Sequence, residues 1–339
     1  MSPLKNLGTL PGGKNSRAFG INNFNQVVGY SEVRSGAVHA FVWEDNIMKD
    51  LGTLPGGKNS KAFAINDLKQ IVGISETTRG TIHAVLWEND VIKDLGALHI
   101  KGNSQAYGIN LQGEIVGMSE THINVKHATL WKRNKAIDLN PSGETKENSI
   151  FLSPSVKNES CIQQKNTSDY EKSYAFGINN FNQIVGCKQV DYGVLHPTVW
   201  NHKKQRLLPI LAPGKQNKAY SLNNHPKKLQ VVGISQTKQG NHHAVFWHNF
   251  HLIDLGTLGG KNSQAIAIND VFPSPTIVGF SQTPDGATHA FIWKSGQMVD
   301  IGTLGGLQSK AYDVNFRGIV VGAAETDRGA IHAFLYDSW

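Results

Sequence analysis

Short apolar segments recur along the whole chain and are separated by polar turns. In the first fifty residues they lie at 18–22, 26–31, 38–43 and 47–51, and they are rich in Val, Ile, Phe and Trp. Clusters of Gly, Asn, Asp and Ser interrupt them every eight to twelve residues, which is typical of strands joined by tight hairpins. No window keeps the period of an amphipathic helix. The pattern therefore predicts an all-β protein made of short antiparallel strands.

The same four segments return seven times. The string LGTLPGGKNS at residues 7–16 recurs at 51–60, and three markers count the copies. The first segment ends on Asn22, Asn66, Asn110, Asn179, Asn223, Asn269 and Asn315, and the second contains Gly29, Gly73, Gly117, Gly186, Gly233, Gly279 and Gly322. The third contains His39, His83, His127, His196, His243, His289 and His332, followed by Trp43, Trp87, Trp131, Trp200, Trp247, Trp293 and, in the last copy, Tyr336. Four strands in a repeat of about 45 residues are typical of a β-propeller blade.

The chain is therefore predicted to form one domain, residues 1–339, folded as a seven-bladed β-propeller with four-stranded blades. Residues 4–10 match a fourth strand that lacks its first three, and the last copy ends after its third strand. The N-terminal strand is thus expected to complete the C-terminal blade and close the ring, which removes a free sheet edge. An open solenoid would not need such complementary ends. Residues 141–171 interrupt the repeat between blades three and four and predict a polar surface loop.

Composition and charge narrow the classes of protein. The 339 residues include 35 Gly and carry a formal net charge of +7, with a pI near 9.2. No stretch reaches the ~20 apolar residues of a membrane helix, and the N-terminus offers no secretory signal. The expected location is either cytoplasmic or reached by a non-classical export route. Two cysteines, Cys161 and Cys187, exclude a disulfide framework but could form one bridge.

The strings GINxxxxVVGxS, HAFxW and DLGTLGG recur in order over nearly the whole chain, and in this it resembles the HAF-repeat family of extracellular repeat proteins. The resemblance implies a repetitive β architecture and no particular activity. Copy four departs from the pattern at Cys187, Lys188 and Pro197. The string LLPIL at residues 207–211 stands where DLGTL is expected.

Residues that repeat seven times are predicted to be scaffold, because a catalytic site needs only one constellation. The repeated His side chains are expected to bond neighbouring strands or turns, with Ser31, Ser75, Ser119, Ser235 and Ser281 as partners. The Trp residues are expected in the core, the Asn residues at turns, and the Gly of V-V-G where two backbones approach closely. No catalytic, nucleotide or metal motif is recognised, so no catalytic residue, metal or cofactor is predicted.

When the seven copies are aligned, two positions at the start of the first segment form columns that are unusually basic. They contain eight Lys or Arg among fourteen positions, where the chain average of 33 in 339 would place one or two. These residues are Lys14, Lys58, Lys215 and Lys261 in the loop, and Arg17, Lys61, Lys218 and Lys310 in the strand. First strands line the channel of a propeller, so the columns predict a positive potential around one channel mouth. Backbone N–H groups of the Gly-rich loops could add anion binding, and Glu32, Glu76, Glu120 and Glu325 could neutralise the face. Simple duplication of one ancestral loop would produce the same count.

The favoured function is a non-catalytic binding scaffold that presents this basic face to a protein, a glycan or another anionic ligand. Two alternatives stay open: an enzyme of hydrolase or lyase type with one site at the channel mouth, and a multivalent lectin. Fold alone does not choose between them. Nucleic acid is disfavoured because the aromatic residues are not interleaved with the basic ones. A monomer is expected, and the 141–171 loop is a second candidate for partner binding.

Overall fold

The computed structural model describes residues 4–122, 125–133, 135–140, 171–190, 193–201, 204–214, 216–225 and 228–337. The chain opens with β1 (Leu4–Gly8). Blade one is β2 (Ser16–Ile21), β3 (Val27–Glu32), β4 (Val38–Glu44) and β5 (Ile47–Gly52); blade two is β6 (Ser60–Ile65), β7 (Ile71–Glu76), β8 (Ile82–Glu88) and β9 (Val91–Asp94). Blade three is β10 (Ser104–Ile109), β11 (Ile115–Glu120), β12 (Lys126–Lys132) and β13 (Lys135–Asp138).

The remaining blades follow the same order. Blade four is β14 (Ser173–Ile178), β15 (Gln183–Val190), β16 (Val194–Asn201) and β17 (Lys204–Leu207); blade five is β18 (Lys218–Leu222), β19 (Gln230–Gln236), β20 (His242–His248) and β21 (His251–Gly256). Blade six is β22 (Ser263–Ile268), β23 (Ile277–Gln282), β24 (Thr288–Lys294) and β25 (Gln297–Asp300). Blade seven is β26 (Gly305–Val314), β27 (Val320–Thr326), β28 (Ile331–Tyr336) and β1.

The blades form a ring of seven antiparallel sheets, which confirms the predicted fold class. Each first strand contacts the first strands of both neighbouring blades, so these strands surround the axis. Strand β1 pairs with β28, with Leu4 opposite Tyr336 and Lys5 opposite Leu335. Blade seven is therefore completed by the opening residues of the chain, and β2 packs against it.

The hydrophobic core lies between blades rather than within one sheet. Val28, Ala40 and Val42 of blade one pack against residues of blade two that include Trp87 and Val85. Five of the repeated Trp residues are buried, and Trp247 has no exposed surface. Neighbouring blades thus depend on each other for burial, as in other repeat folds.

The Gly of the second strand allows β2 and β3 to approach closely. Gly29 lies opposite Ala18, and a Cβ atom added to it would lie 1.9 Å from the Arg17 carbonyl oxygen. The same contact measures between 1.8 and 2.0 Å in the other six blades. The close approach expected from the sequence is therefore present in every repeat.

Serine hydroxyls join one blade to the next. The buried Ser60 accepts a hydrogen bond from the Ala40 N–H of blade one and donates to the Gly52 carbonyl. At the ring closure Ser16 accepts from the Ala333 N–H across the first and last blades. These bonds satisfy backbone groups that packing would otherwise leave buried without partners.

Candidate functional site

Each first strand runs along the channel axis. Equivalent residues of the seven strands therefore lie at the same height and form layers of the channel wall. We call the end with the fourth-to-first loops the upper mouth and the end with the first-to-second turns the lower mouth. Along β2, Arg17 lies near the upper mouth, Phe19 in the middle, and Ile21 beside the lower mouth. All seven first strands contain a register shift next to the middle residue, as between Ala18 and Gly20. Such bulges redirect a side chain.

The middle layer is an aromatic belt that sequence analysis did not identify. Six side chains contact one another in order around the channel, with ring centroids 4.9 to 5.8 Å apart: Tyr312, Phe19, Phe63, Tyr107, Phe176 and Tyr220. Ile266 occupies the seventh position. Burial raises the pKa of Tyr107 and Tyr220, so their phenols stay neutral. The available signal was the aromatic residue that follows the Ala of the first strand in six copies.

Above the belt lies a cationic collar formed by Arg17, Lys61, Lys218 and Lys310. All four are half-buried. Two of them lie over aromatic rings: the Lys61 Nζ lies 4.7 Å from the Tyr30 ring centroid and the Lys310 Nζ lies 4.5 Å from that of Phe280. Arg17 hydrogen-bonds Tyr312. Burial and the nearby charge of Arg17 lower the pKa of Lys310. The strand column of basic residues is thus gathered at one mouth.

The loop column is arranged differently. Lys14, Lys58 and Lys261 are exposed at the upper rim, and Lys215 lies outside the described residues. In blades one and two, one of the loop N–H groups that the sequence offers for anion binding is already bonded to an internal carboxylate. The Lys14 N–H donates to Glu32 and the Lys58 N–H to Glu76, at 3.2 and 3.3 Å. The exposed side chains of Lys14, Lys58 and Lys261 are the groups of this loop that we take as available to a ligand.

The repeated His residues bond aspartates rather than the expected serines. His39 Nδ1 lies 2.7 Å from Asp50 on the fourth strand, and the same pair recurs in blades two, three, five and six. In blade four Leu207 replaces the aspartate, and the buried Nδ1 of His196 has no partner within the described chain. In blade seven Asn6 of β1 takes the aspartate's place, 3.0 Å from His332.

Each of the expected serine partners accepts a backbone N–H instead. Ser31 accepts from Leu10 and Ser75 from Leu54. Ser119, Ser235 and Ser281 do the same with Leu98, Leu211 and Leu258. Their hydroxyls anchor the fourth-to-first loop, so they are not available to the imidazoles.

The lower mouth is a funnel of about 380 Å³ to which all seven blades contribute. Its wall is built on the repeated Asn residues, which are buried and cap the first-to-second turns as expected. Asn22 Oδ1 accepts from the Phe24 and Gln26 N–H groups, while its Nδ2 donates to the Asn66 carbonyl of the next blade. The link between blades repeats from Asn66, Asn110, Asn179, Asn269 and Asn315. The amides are therefore engaged in holding the ring together.

An apolar rim surrounds this funnel and was not expected from the sequence. Six side chains on the first-to-second turns are 41 to 68% exposed: Phe24, Leu68, Leu111, Phe181, Phe272 and Phe316. Turn residues are usually polar, so the signal was an Asn followed within three residues by Phe or Leu. The lower face is thus apolar at its edge and polar at its centre.

Asp313 breaks the sevenfold pattern of the channel wall. Its position is occupied by Gly20, Ala64, Gly108, Gly177, Ser221 and Ala267 in the other blades. The carboxylate accepts hydrogen bonds from the Ile21 N–H of blade one and from the Val314 N–H, at 2.9 and 2.8 Å. Burial, together with the charge of Asp270, raises the pKa of Asp313 to about 7.

This carboxyl should make stability depend on pH. The ordinary pKa is 3.8, so the folded protein binds the proton more tightly than the unfolded chain does. The resulting stabilisation is complete below about pH 4 and is lost as the pH rises to about 7, by up to ~1.4 kcal/mol per pH unit. We expect the Asp313→Asn variant to lack this decline in urea unfolding at pH 4, 5.5 and 7. The exposed Asp45→Asn variant is the control, and parallel curves for wild type and D313N would contradict the assignment.

Cys187 is buried, which raises the pKa of its thiol to about 12. Cys161 lies outside the described residues, so pairing of the two is untested. Among the residues placed, no three His, Cys, Asp or Glu side chains are grouped as metal ligands. None of the described segments is a helix long and apolar enough to cross a membrane.

No family model and no curated protein matches this chain, so the likeness to HAF-repeat proteins stays a prediction. Solved structures share its fold. A puromycin hydrolase S511A variant complexed with PGG superposes with a TM-score of 0.60 at 11% identity, over 96% of this chain and 52% of that one. The present chain therefore spans about half the length of that enzyme.

Two further structures are similar over nearly the whole chain. The β-propeller domain of the Trilobed protease from Pyrococcus furiosus, which has an open velcro topology, gives a TM-score of 0.54 at 12% identity over 96% of this chain and 97% of that one. The extracellular domain of the hybrid two-component system BT4673 from B. thetaiotaomicron gives 0.54 at 11% over 99% and 40%. At these identities the likeness shows the β-propeller fold alone.

Proposed function

We propose that this chain is a non-catalytic binding propeller whose upper channel mouth holds an anionic group of a protein or a glycan. One observation carries the proposal. Arg17, Lys61, Lys218 and Lys310 converge on the mouth, and the lysine ion pairs in the described part of the chain are made by other residues. Four cations from blades one, two, five and seven thus face one opening without a carboxylate partner among the residues placed.

Crowded cations of this kind favour an anionic ligand. Bringing like charges together in a half-buried setting costs free energy, as the lowered pKa of Lys310 indicates. A ring of like charge at a cleft also focuses potential and attracts counter-ions. The exposed Lys14, Lys58 and Lys261 extend the positive surface outward from the collar. An anion at the mouth would relieve the repulsion.

A binding role is favoured over catalysis by the state of the unique carboxyl. Asp313 is the acidic side chain that breaks the symmetry of the channel wall, and its oxygens accept two backbone N–H groups. Backbone amides hold a carboxyl in place but supply neither a nucleophile nor a base. Asp313 also bonds the N–H of Ile21, beside the lower mouth, so it lies away from the collar and gives the alternative of an enzyme at the upper mouth no acid or base.

Removing the collar charges should weaken binding of polyanions. We expect the variant R17Q/K61Q/K218Q/K310Q to bind dextran sulfate and poly-L-glutamate at least about tenfold more weakly than wild type at low salt. The reason is that each lost ion pair is worth roughly 0.2–1 kcal/mol and about 1.4 kcal/mol is tenfold in affinity. Isothermal titration calorimetry at two ionic strengths measures the affinity and its salt dependence.

A second quadruple variant tests whether polyanion binding depends on the collar residues or on the net charge of the protein. Lys49, Lys93, Lys135 and Lys204 are exposed on fourth strands, away from the channel. The variant K49Q/K93Q/K135Q/K204Q removes the same four charges and should bind both polyanions nearly as wild type does. Equal losses in the two quadruple variants, or unchanged binding in the collar variant, would reject the proposal. Neutral dextran should not bind to any of them at the collar.

A further inference from the structure

A cavity of about 230 Å³ opens between blades five and six near the upper mouth. Ile234 and His242 contribute from blade five. Blade six contributes Asn262, Ser263, Gln264, Phe280, Gln282 and Thr288. The lining holds amide, hydroxyl and imidazole groups and has no Lys, Arg, Asp or Glu. Its volume is just below the ~300 Å³ at which drug-sized pockets begin, so it suits a smaller ligand.

The backbone of this cleft is the same as between blades one and two, but the side chains differ. In both clefts an Asn on the loop accepts an N–H from the third strand of the preceding blade: Asn262 from His242, and Asn59 from Val38. In both clefts the Nδ2 of this Asn donates to the side chain at the end of the second strand. The acceptor is Gln282 for Asn262 and Glu76 for Asn59. The shared scaffold makes the substituted positions directly comparable.

Four substitutions distinguish this cleft and leave it without charge. Gln264 stands where blade two has Lys61, whose Nζ lies over Tyr30, and Ile234 replaces that tyrosine. Gln282 replaces Glu76, and His242 replaces Val38. A long cation over an aromatic ring in one cleft is thus exchanged for a shorter amide and an aliphatic wall in the other.

One polar group of a cavity-lining residue lacks a partner, unlike the amides of the funnel. The buried Nε2 of His242 has no hydrogen-bond partner in the described part of the chain. The Asn amides of the funnel, by contrast, are bonded to turns and to the next blade. Buried polar atoms are normally satisfied, so the imidazole of His242 gains a hydrogen bond when it turns toward a ligand in the cavity.

We propose that this cleft binds one neutral monosaccharide ring. Sugar hydroxyls both donate and accept, so they can satisfy the imidazole of His242 and the amides of Gln264 and Gln282 together. Ile234 and Phe280 line the same space and offer apolar surface to the C–H face of a pyranose, while the Lys310 ammonium lies 4.5 Å from the Phe280 ring centroid. The site is distinct from the collar because its lining carries no charge to recognise an anion.

The test is binding of free neutral sugars to the full chain. Saturation-transfer NMR with glucose, galactose, mannose, fucose and N-acetylglucosamine should show at least one ligand, and calorimetry should give one site per chain. His242→Val and Gln264→Lys install the residues that the chain itself uses at Val38 and Lys61, so both variants should fold. Each is expected to weaken binding about tenfold or more. Gln105→Lys, the matching change in the cleft between blades two and three, should leave binding unchanged.

Four outcomes would overturn the proposal. One is that none of the five sugars binds, which would leave only water at His242. Another is that binding survives both H242V and Q264K. The third is a stoichiometry near seven, which would indicate a repeated lectin site instead. The fourth is binding that is lost in the collar quadruple variant but kept in H242V, which would place the sugar at the collar. This outcome would not affect the test of the collar with polyanions.

Discussion

Replacing Gly29 with alanine should destabilise the propeller by about 3 kcal/mol or more. The added Cβ would lie 1.9 Å from the Arg17 carbonyl oxygen and 2.9 Å from the Ala18 Cα. Both are backbone atoms of the paired strand, so no side chain can move aside to make room. β2 and β3 would have to separate, and Arg17 and Phe19 would move with them. Urea unfolding followed by tryptophan fluorescence measures the change in the free energy of unfolding.

Gly36 provides the control for this substitution. It has a φ of +81°, and a Cβ added to it would meet no atom within 4 Å, so alanine there introduces conformational strain without a clash. Its expected cost is about 1 kcal/mol. The effect at Gly29 should exceed it clearly and should reappear at Gly73, where the same contact is also 1.9 Å. Equal losses at Gly29 and Gly36 would show that the close approach does not limit substitution.

The repeat markers predict the fold well because each has a local physical role. The Gly of V-V-G indicates a close strand pair, and the Asn indicates a capped turn; both roles depend on residues only a few positions apart. The ring closure was also predictable, because residues 4–10 repeat the fourth-strand pattern. Asn6 even takes the aspartate position opposite His332.

The partners of the repeated His residues could not be predicted with the same success. Ser31 lies directly opposite His39 in the β3–β4 register, so the sequence favours that pair. The choice is decided elsewhere: the Leu10 N–H occupies the Ser31 hydroxyl, and the β4–β5 register brings Asp50 to the imidazole. Both serine and aspartate repeat with the histidine, and only tertiary structure shows which one bonds it.

The candidate site was predictable in composition but not in arrangement. The basic columns at the first strand predict which cations gather at one mouth. They do not show that Glu32 and Glu76 occupy the loop N–H groups, or that an aromatic belt lies beneath the collar. Those features depend on contacts between blades, as does the neutral cleft around His242. Departures from the repeat, such as Gln264 and Asp313, become informative only once their neighbours are known.

Replacing Asn66 with alanine should cost about 3 kcal/mol, a large effect for one turn residue. The side chain is 6% exposed, and it serves its own turn and the next blade at once. Its Oδ1 accepts from the Leu68 and Gln70 N–H groups, both at 3.0 Å, and its Nδ2 donates to the Asn110 carbonyl at 3.0 Å. Alanine would remove these bonds and leave the part-buried N–H groups of Leu68 and Gln70 without their side-chain acceptor, and an unpaired buried group costs roughly 1–3 kcal/mol.

The Asn23→Ala variant tests whether the loss of stability depends on burial or on the number of hydrogen bonds removed. Asn23 also connects blades, since its Nδ2 donates to Asp67 and its Oδ1 accepts from the Phe316 N–H, but it is exposed. Water can replace those bonds, so the expected loss is within about 0.5 kcal/mol. Urea unfolding of both variants under one set of conditions makes the comparison. If N23A and N66A lost equal stability, the buried amide ring would contribute no more than ordinary surface hydrogen bonds, and its role in holding the blades together would have to be abandoned.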